Sequence, residues 1–200
     1  MADTVRTEDY LLESIFQDGQ DPSSITAQDM RDLIVSIKYL NGGGWEFHLD
    51  GEYTVGSPKV ISAGVRTQIT IDGVAGDFGH PATTHGVGHF WDTTLNKVVA
   101  QNLNSFATGR VSFVAKSVAS PTNRFELEVD VVGGSFPIIY QDTGVLAKGA
   151  GVDQGFNFII PLFVGPEFLI NGATAFITPE EDMSFHTHAI TINRTYIARP

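Results

Sequence analysis

Apolar residues recur at two different periods along this chain, and the change falls near residue 41. In the first forty residues the spacing is helical. Leu11, Leu12, Ile15 and Phe16 recur at i, i+1, i+4 and i+5, and Thr7 is placed to cap the helix ahead of Glu8 and Asp9. Gly19 and Pro22 then interrupt the pattern, because glycine suits the left-handed end of a helix and proline cannot continue one. A second helix opens at Thr26-Ala27-Gln28-Asp29, a shortened relative of the capping box in which Asp stands for Glu or Gln. Its apolar stripe is Met30, Leu33, Ile34, Ile37 and Leu40. The pattern predicts a short helical hairpin over residues 1–41. Such a hairpin is too small to cover its own stripes, so it needs another surface to rest on.

After Asn41-Gly42-Gly43-Gly44 the period becomes two. Trp45, Phe47 and Leu49 alternate with Glu46 and His48, which predicts a strand anchored in the core by Trp45. Asp50-Gly51 reads as a turn. Phe125, Leu127, Val129 and Val131 share one face of a strand whose other face, Glu126, Glu128 and Asp130, belongs in water. The run from Phe156 to Phe163 is apolar on both faces, so both faces should be covered, by the chain itself or by another subunit. Further strand-like runs include residues 65–71, 98–99, 111–114, 138–140, 168–170, 174–178 and 184–197. About ten short strands punctuated by Gly, Pro, Asn and Asp, with no helical crossovers, predict a mainly β antiparallel sandwich over residues 42–200.

Composition narrows the function. The chain has 200 residues, 42% hydrophobic and 18% charged, which is enough apolar material for one core. Its formal net charge of −11 gives no general attraction to nucleic acid or anionic lipid. No cysteine is present, so thiolate chemistry, disulfides and cysteine-ligated metals are excluded. The longest apolar stretch is broken by Pro161, Gly165, Pro166 and Glu167, so no membrane insertion is expected, and the first ten residues lack the apolar run of a secretory signal.

Catalytic motifs are missing: there is no nucleophile elbow, no phosphate-binding glycine loop and no His-Glu-x-x-His. Five of the six histidines fall in two groups. His80, His85 and His89 lie in a Gly/Pro-rich stretch beside Trp91, which makes a candidate ligand-binding loop for a metal or, through the indole, a sugar. The bland alternative is a solvated loop. His186 and His188 stand two apart on a strand and would share a face with Ile190 and Ile192. Their bland reading is interface or hydrogen-bonded core histidines. No resident metal or other cofactor is expected.

Two segments carry a resemblance. Leu11-Leu12-Glu13-Ser14-Ile15-Phe16 and Ile25-Thr26-Ala27-Gln28-Asp29-Met30-Arg31-Asp32 resemble the short helical segment of bacteriophage head-decoration and fibre proteins. Residues 156–161 and 184–192 resemble the closing strands of the trimeric jelly roll of tumour necrosis factor and complement-type heads. The resemblance implies a non-enzymatic phage virion protein, assembled in the host cytoplasm: a homotrimeric capsid decoration or head-fibre protein. It would dock on the major capsid protein or a fibre base through Leu11, Leu12, Ile15, Phe16, Met30, Leu33, Ile34 and Ile37. The trimer interface implied is Phe156, Phe158, Ile160, Phe185, His186 and His188. Two other roles compete. One is a tail-fibre tip that binds a host receptor or surface glycan through the His80–Trp91 loop. The other is a metal-dependent enzyme, since His186-x-His188 resembles part of a cupin site, although no acid follows at the required spacing.

Overall fold

The computed structural model describes residues 26–40, 45–71, 76–80, 89–100, 103–131 and 138–196. The chain divides into two compact units, Met1–Gly42 and Gly43–Pro200.

In the first unit, helix α1 (Ala27–Leu40) begins where its cap residues predict. The Asp29 backbone N–H donates to Thr26 Oγ1 at 3.1 Å, and the Thr26 N–H donates to Asp29 Oδ2 at 2.8 Å. This reciprocal pair satisfies two donors at the helix start, and the shorter Asp serves as well as Glu. Gln28 Nε2 donates to Asp32 Oδ1 at 2.7 Å, one turn on. Met30 is exposed, whereas Asp32 is fully buried. The first predicted helix, with Leu11, Leu12, Ile15 and Phe16, lies outside the described residues.

The second unit is a two-sheet antiparallel sandwich. Its strands are β1 (Trp45–Leu49), β2 (Lys59–Ile61), β3 (Thr67–Gln68), β4 (Gly76–His80), β5 (Trp91–Asp92), β6 (Lys97–Val98), β7 (Phe106–Ser117), β8 (Asn123–Asp130), β9 (Ile138–Leu146), β10 (Gln154–Phe163), β11 (Thr174–Pro179) and β12 (Met183–Tyr196). One sheet runs β10-β7-β12-β1-β4, with β2 also beside β12, and the other runs β3-β11-β8-β9. Strands β5 and β6 form a separate small pair. Eight strands carry the architecture: β1, β3, β7, β8, β9, β10, β11 and β12. The first of them pairs with the last, β3 with β11, β7 with β10 and β8 with β9. A long antiparallel hairpin wrapped around itself gives this nesting of pairs, which is a jelly roll.

Phenylalanines fill the space between the sheets. Phe113 of β7 meets Phe125 of β8 at 5.6 Å between ring centroids, Phe156 at 5.6 Å, Phe158 at 6.0 Å and Phe185 at 5.9 Å. Phe125 lies across Gly144 of β9, where any Cβ would come within 2.0 Å of the ring. That position has to be glycine because the ring occupies the space of its side chain.

Residues 168–170 depart from the predicted strand: they belong to the helix α2 (Pro166–Asn171). Gly165 precedes Pro166 at the first helical position, and Gly172 ends the turn at φ +72 with its N–H bonded to the Phe168 carbonyl. Proline before and glycine after are helix boundaries, and over six residues they outweigh an apolar triplet. Phe168 is buried, while Ile170 points into solvent.

Candidate functional site

Strand β1 places its side chains opposite to the sequence expectation. Glu46 pairs with Ile192 and His48 with Ile190, both core residues of β12, so Glu46 and His48 face the interior. Trp45, Phe47 and Leu49 therefore lie on the outer face of the sheet, and Trp45 is 41% exposed. A carboxylate can occupy the interior only when its oxygens are supplied with donors. Glu46, 1% exposed, accepts from the backbone N–H of Phe90 at 3.0 Å and of Trp91 at 3.1 Å. His48 Nε2 lies 3.1 Å from one oxygen and His89 Nδ1 2.9 Å from the other. Burial pushes the Glu46 carboxyl up. The hydrogen bonds from His48 and from Phe90, with the charges of His48 and His89, outweigh burial and hold it below the ordinary glutamate value.

Strand β10 separates the two faces of the apolar run. Phe158, Ile160 and Leu162 are buried in the sandwich, and Phe156 packs half-buried against the same core. Phe185 is buried there too. Phe158, Ile160 and Phe185 are thus packed against by the chain's own side chains, which takes them off the surface expected for a subunit contact, whereas Phe156 keeps part of its ring exposed. The alternate residues look outward: Ile159 is 63% exposed and Phe163 59%. Through the register these join one continuous face. Ile159, Arg110, Thr191 and Phe47 form one row across β10, β7, β12 and β1; Pro161, Thr108, Asn193 and Trp45 form the next; and Asn157, Ser112, Ala189 and Leu49 flank them on the other side. Arg110 is the one ionisable side chain in those three rows.

The opposite sheet has a different outer face. Glu126, Glu128 and Asp130 line β8, as its alternation predicts, and Arg66 braces two of them, with Nε 2.7 Å from Glu128 Oε2 and an Nη 2.9 Å from Asp130 Oδ2. The Arg66 guanidinium also lies 3.7 Å from the centre of the Phe176 ring. One outer face of the sandwich carries a row of carboxylates; the other sets aromatic and aliphatic side chains among uncharged polar ones and Arg110.

The histidine groups separate. Between His186 and Ala189 the β12–β7 register slips by one residue, and Thr187 inside the slip has φ +51. Such a bulge reverses the side-chain parity. Phe185 faces inward before it and Ile190 after it. His186 therefore pairs with Val114 on the outer side, its Nδ1 2.8 Å from Thr187 Oγ1 and its Nε2 3.6 Å from Asp153. His188 goes inward, where its Nε2 donates to the Thr70 carbonyl and its ring stacks on Tyr53 with centroids 5.9 Å apart. The shared face expected for the two rings is absent, and so is the convergence a metal would need. Among the described residues no group of three ligating side chains could hold a metal ion.

In the other group, Trp91 is 3% exposed and belongs to the core, while His89 stands half in solvent with Nδ1 on Glu46. A buried indole offers no platform to a sugar. His80 is the last residue of β4, paired with Trp45, and His85 lies outside the described residues. Among the described residues, two cavities of about 30 and 20 Å³ are lined almost wholly by apolar side chains such as Val98, Leu162 and Ile192, and no ionisable pair converges in either.

Sequence reading missed Ile159, Phe163 and Arg110 as surface residues. The available signal was parity: positions 156, 158, 160 and 162 of β10 are all large and apolar, whereas positions 155, 157, 159, 161 and 163 mix Gly, Asn and Pro with Ile and Phe. The uniformly apolar set is the one a single chain buries.

No protein-family model matches this chain, and neither does any curated protein. Among solved structures it is similar to the Eiger TNF from S. frugiperda, at 11% identity over 78% of this chain and 94% of that chain, with a TM-score of 0.47. It is also similar to the PRD1 vertex protein P5, at 11% identity over 78% of this chain and 97% of that chain, with a TM-score of 0.43. A third is the CBM22-1-GH10 xylanase 10B of Clostridium thermocellum, at 15% identity over 74% of this chain and 28% of that chain, with a TM-score of 0.33.

Proposed function

We propose that this chain is a non-enzymatic structural protein of a bacteriophage particle, a homotrimeric capsid decoration or head-fibre protein that docks through residues 1–41. The observation that carries the reading is the asymmetry of the sandwich. Trp45, Phe47, Ile159, Pro161 and Phe163 lie among uncharged polar residues and one arginine on one face, and leaving their exposed apolar surface in water is costly, while the other sheet keeps a row of carboxylates. Strand β10 adds a second reason. It is an edge strand of ten residues without a charge, and natural edges of that length are normally charged, interrupted or covered. Association between copies covers both features at once.

The role on a particle rests on the phage-like segments Leu11–Phe16 and Ile25–Asp32. A trimer would present three such segments together, so that three weak contacts act as one strong attachment. Two observations weigh against the competing readings: Trp91, the indole proposed to stack on a sugar, is buried, and the rings of His186 and His188 part at the bulge.

Light scattering on a sizing column tests the oligomer: one chain is 21.6 kDa, so the expected mass is about 65 kDa from threefold closure. A single-chain mass at micromolar concentration overturns the trimer. Capsid sedimentation tests the docking: the full chain should co-sediment with phage capsids, and a chain lacking residues 1–41 should remain trimeric but stay in the supernatant.

A further inference from the structure

Thr187 is held in a conformation that its side chain does not favour. Among the described residues, three that are not glycine have positive φ: Asn96, Asn104 and Thr187. Asparagine tolerates the left-handed region, whereas a β-branched residue there is a true outlier. The bulge itself needs only one extra residue at φ +51, and glycine or asparagine would supply it with less strain. The Thr187 N–H, donating to the Tyr53 carbonyl at 2.9 Å, pins the backbone in that state. Strain kept at such a position calls for a reason in the side chain that brings it.

That side chain sets an exposed hydroxyl against an imidazole. Thr187 is exposed, while His186 beside it is 3% exposed. His186 Nδ1 lies 2.8 Å from Thr187 Oγ1. His186 Nε2, which has no hydrogen-bond partner among the described residues, faces Asp153 Oδ2 at 3.6 Å. Lys116 Nζ stands 3.5 Å from the other Asp153 oxygen. A carboxylate facing Nε2 favours the tautomer that carries its proton there. Nδ1 then presents its lone pair to the threonine, and the O–H donates to it. Hydroxyl, imidazole and carboxylate stand in the order of an activated nucleophile, with a base in hydrogen-bond reach and a third group behind the base.

We propose that Thr187 is an acylation site, at which an activated acyl donor, an ester or thioester, transfers its acyl group to Oγ1 with His186 as general base. Oγ1 attacks the carbonyl carbon and Nδ1 takes the hydroxyl proton. The C–O or C–S bond to the leaving group then breaks, and the proton passes to the departing oxygen or sulfur. The product is a threonine ester, with no change of oxidation state. One acyl group is taken up per chain, so the modification stands beside a structural role and does not depend on the trimer.

The probe is p-nitrophenyl acetate, with peptide mass spectrometry to locate the acetyl group and near-ultraviolet circular dichroism to establish that each variant keeps its aromatic core. The parent chain should be acetylated at Thr187. Thr187→Ser should also be acetylated there, whereas Thr187→Gly, which relieves the backbone, should fold as the parent does and lose the label. His186→Gln should slow acetylation of Thr187 by at least about a hundredfold, the lower end of what a positioned base contributes. Asp153→Asn should slow it by at least about tenfold, because the tautomer is no longer held. Asp153 is partly exposed, so this variant decides the matter even if the buried His186 cannot be replaced without loss of the fold. Acetyl groups found on lysines such as Lys116 but not on Thr187 overturn the proposal, and so does a Thr187 rate that neither His186→Gln nor Asp153→Asn changes.

Discussion

Glu46 shows how far one buried polar side chain can decide the face of a strand. Its four donors come from His48 on the same strand and from residues 89–91, more than forty positions away. With those donors, the interior tolerates a carboxylate that would otherwise cost several kcal/mol to bury. A group held below its unfolded value binds a proton more readily in the unfolded chain. The stabilisation it contributes is therefore complete above about pH 4.5, the ordinary glutamate value, and is lost as pH falls through the lower folded value. Glu46→Gln keeps the shape but removes the charge that two N–H groups and two imidazoles surround. Urea unfolding at pH 7 should show a loss of about 1.5–3 kcal/mol. The parent and the variant should converge as pH drops below 4. A variant whose deficit is constant from pH 7 to pH 3 contradicts a charged Glu46.

At the scale of elements, the bulge in β12 matters as much as any strand. Met183 and Phe185 enter the core at odd positions, and Ile190 and Ile192 at even ones. One extra residue, Thr187, at φ +51 and hydrogen-bonded through its N–H to the Tyr53 carbonyl at 2.9 Å, makes the change of parity. Deleting Thr187 should force either Met183 and Phe185 or Ile190 and Ile192 onto the wrong face. Exchanging buried aliphatic side chains for polar ones costs more than a small domain's whole stability. The deletion is expected to give no cooperative thermal transition, and a variant that melts near the parent temperature refutes this account of the bulge. Helix α1 is the contrasting case. Its start is set by Thr26 and Asp29, three residues apart in sequence, and so could be read directly from the chain.

For the molecule as a whole, the division of β10 into two faces leads to opposite consequences for neighbouring residues. Phe158→Asp places an unpaired carboxylate among Phe113, Phe125 and Phe156 and should abolish folding. Ile159→Asp alters an exposed position. It should leave the melting of the isolated chain within about 0.5 kcal/mol of the parent, yet shift the light-scattering mass of the proposed trimer toward monomer. An Ile159→Asp chain that stays fully trimeric at micromolar concentration would remove the outer face from the assembly.

The sequence by itself determined the mainly β sandwich, the capped second helix, the wet face of β8 and the apolar run of β10. Each of these depends on neighbours within a few residues: alternation, a cap, a turn glycine. Which face of β1 enters the core, which alternate residues of β10 remain outside, and where His186 and His188 point were decided by the tertiary structure. Those outcomes depend on groups distant in the chain. Glu46 is received by residues 89–91, His188 by Thr70, and the parity of β12 is reset against β7 by a single bulged residue. Local pattern gives a strand two faces. Only the partners brought together by folding settle which of them a polar group can occupy without losing its hydrogen bonds.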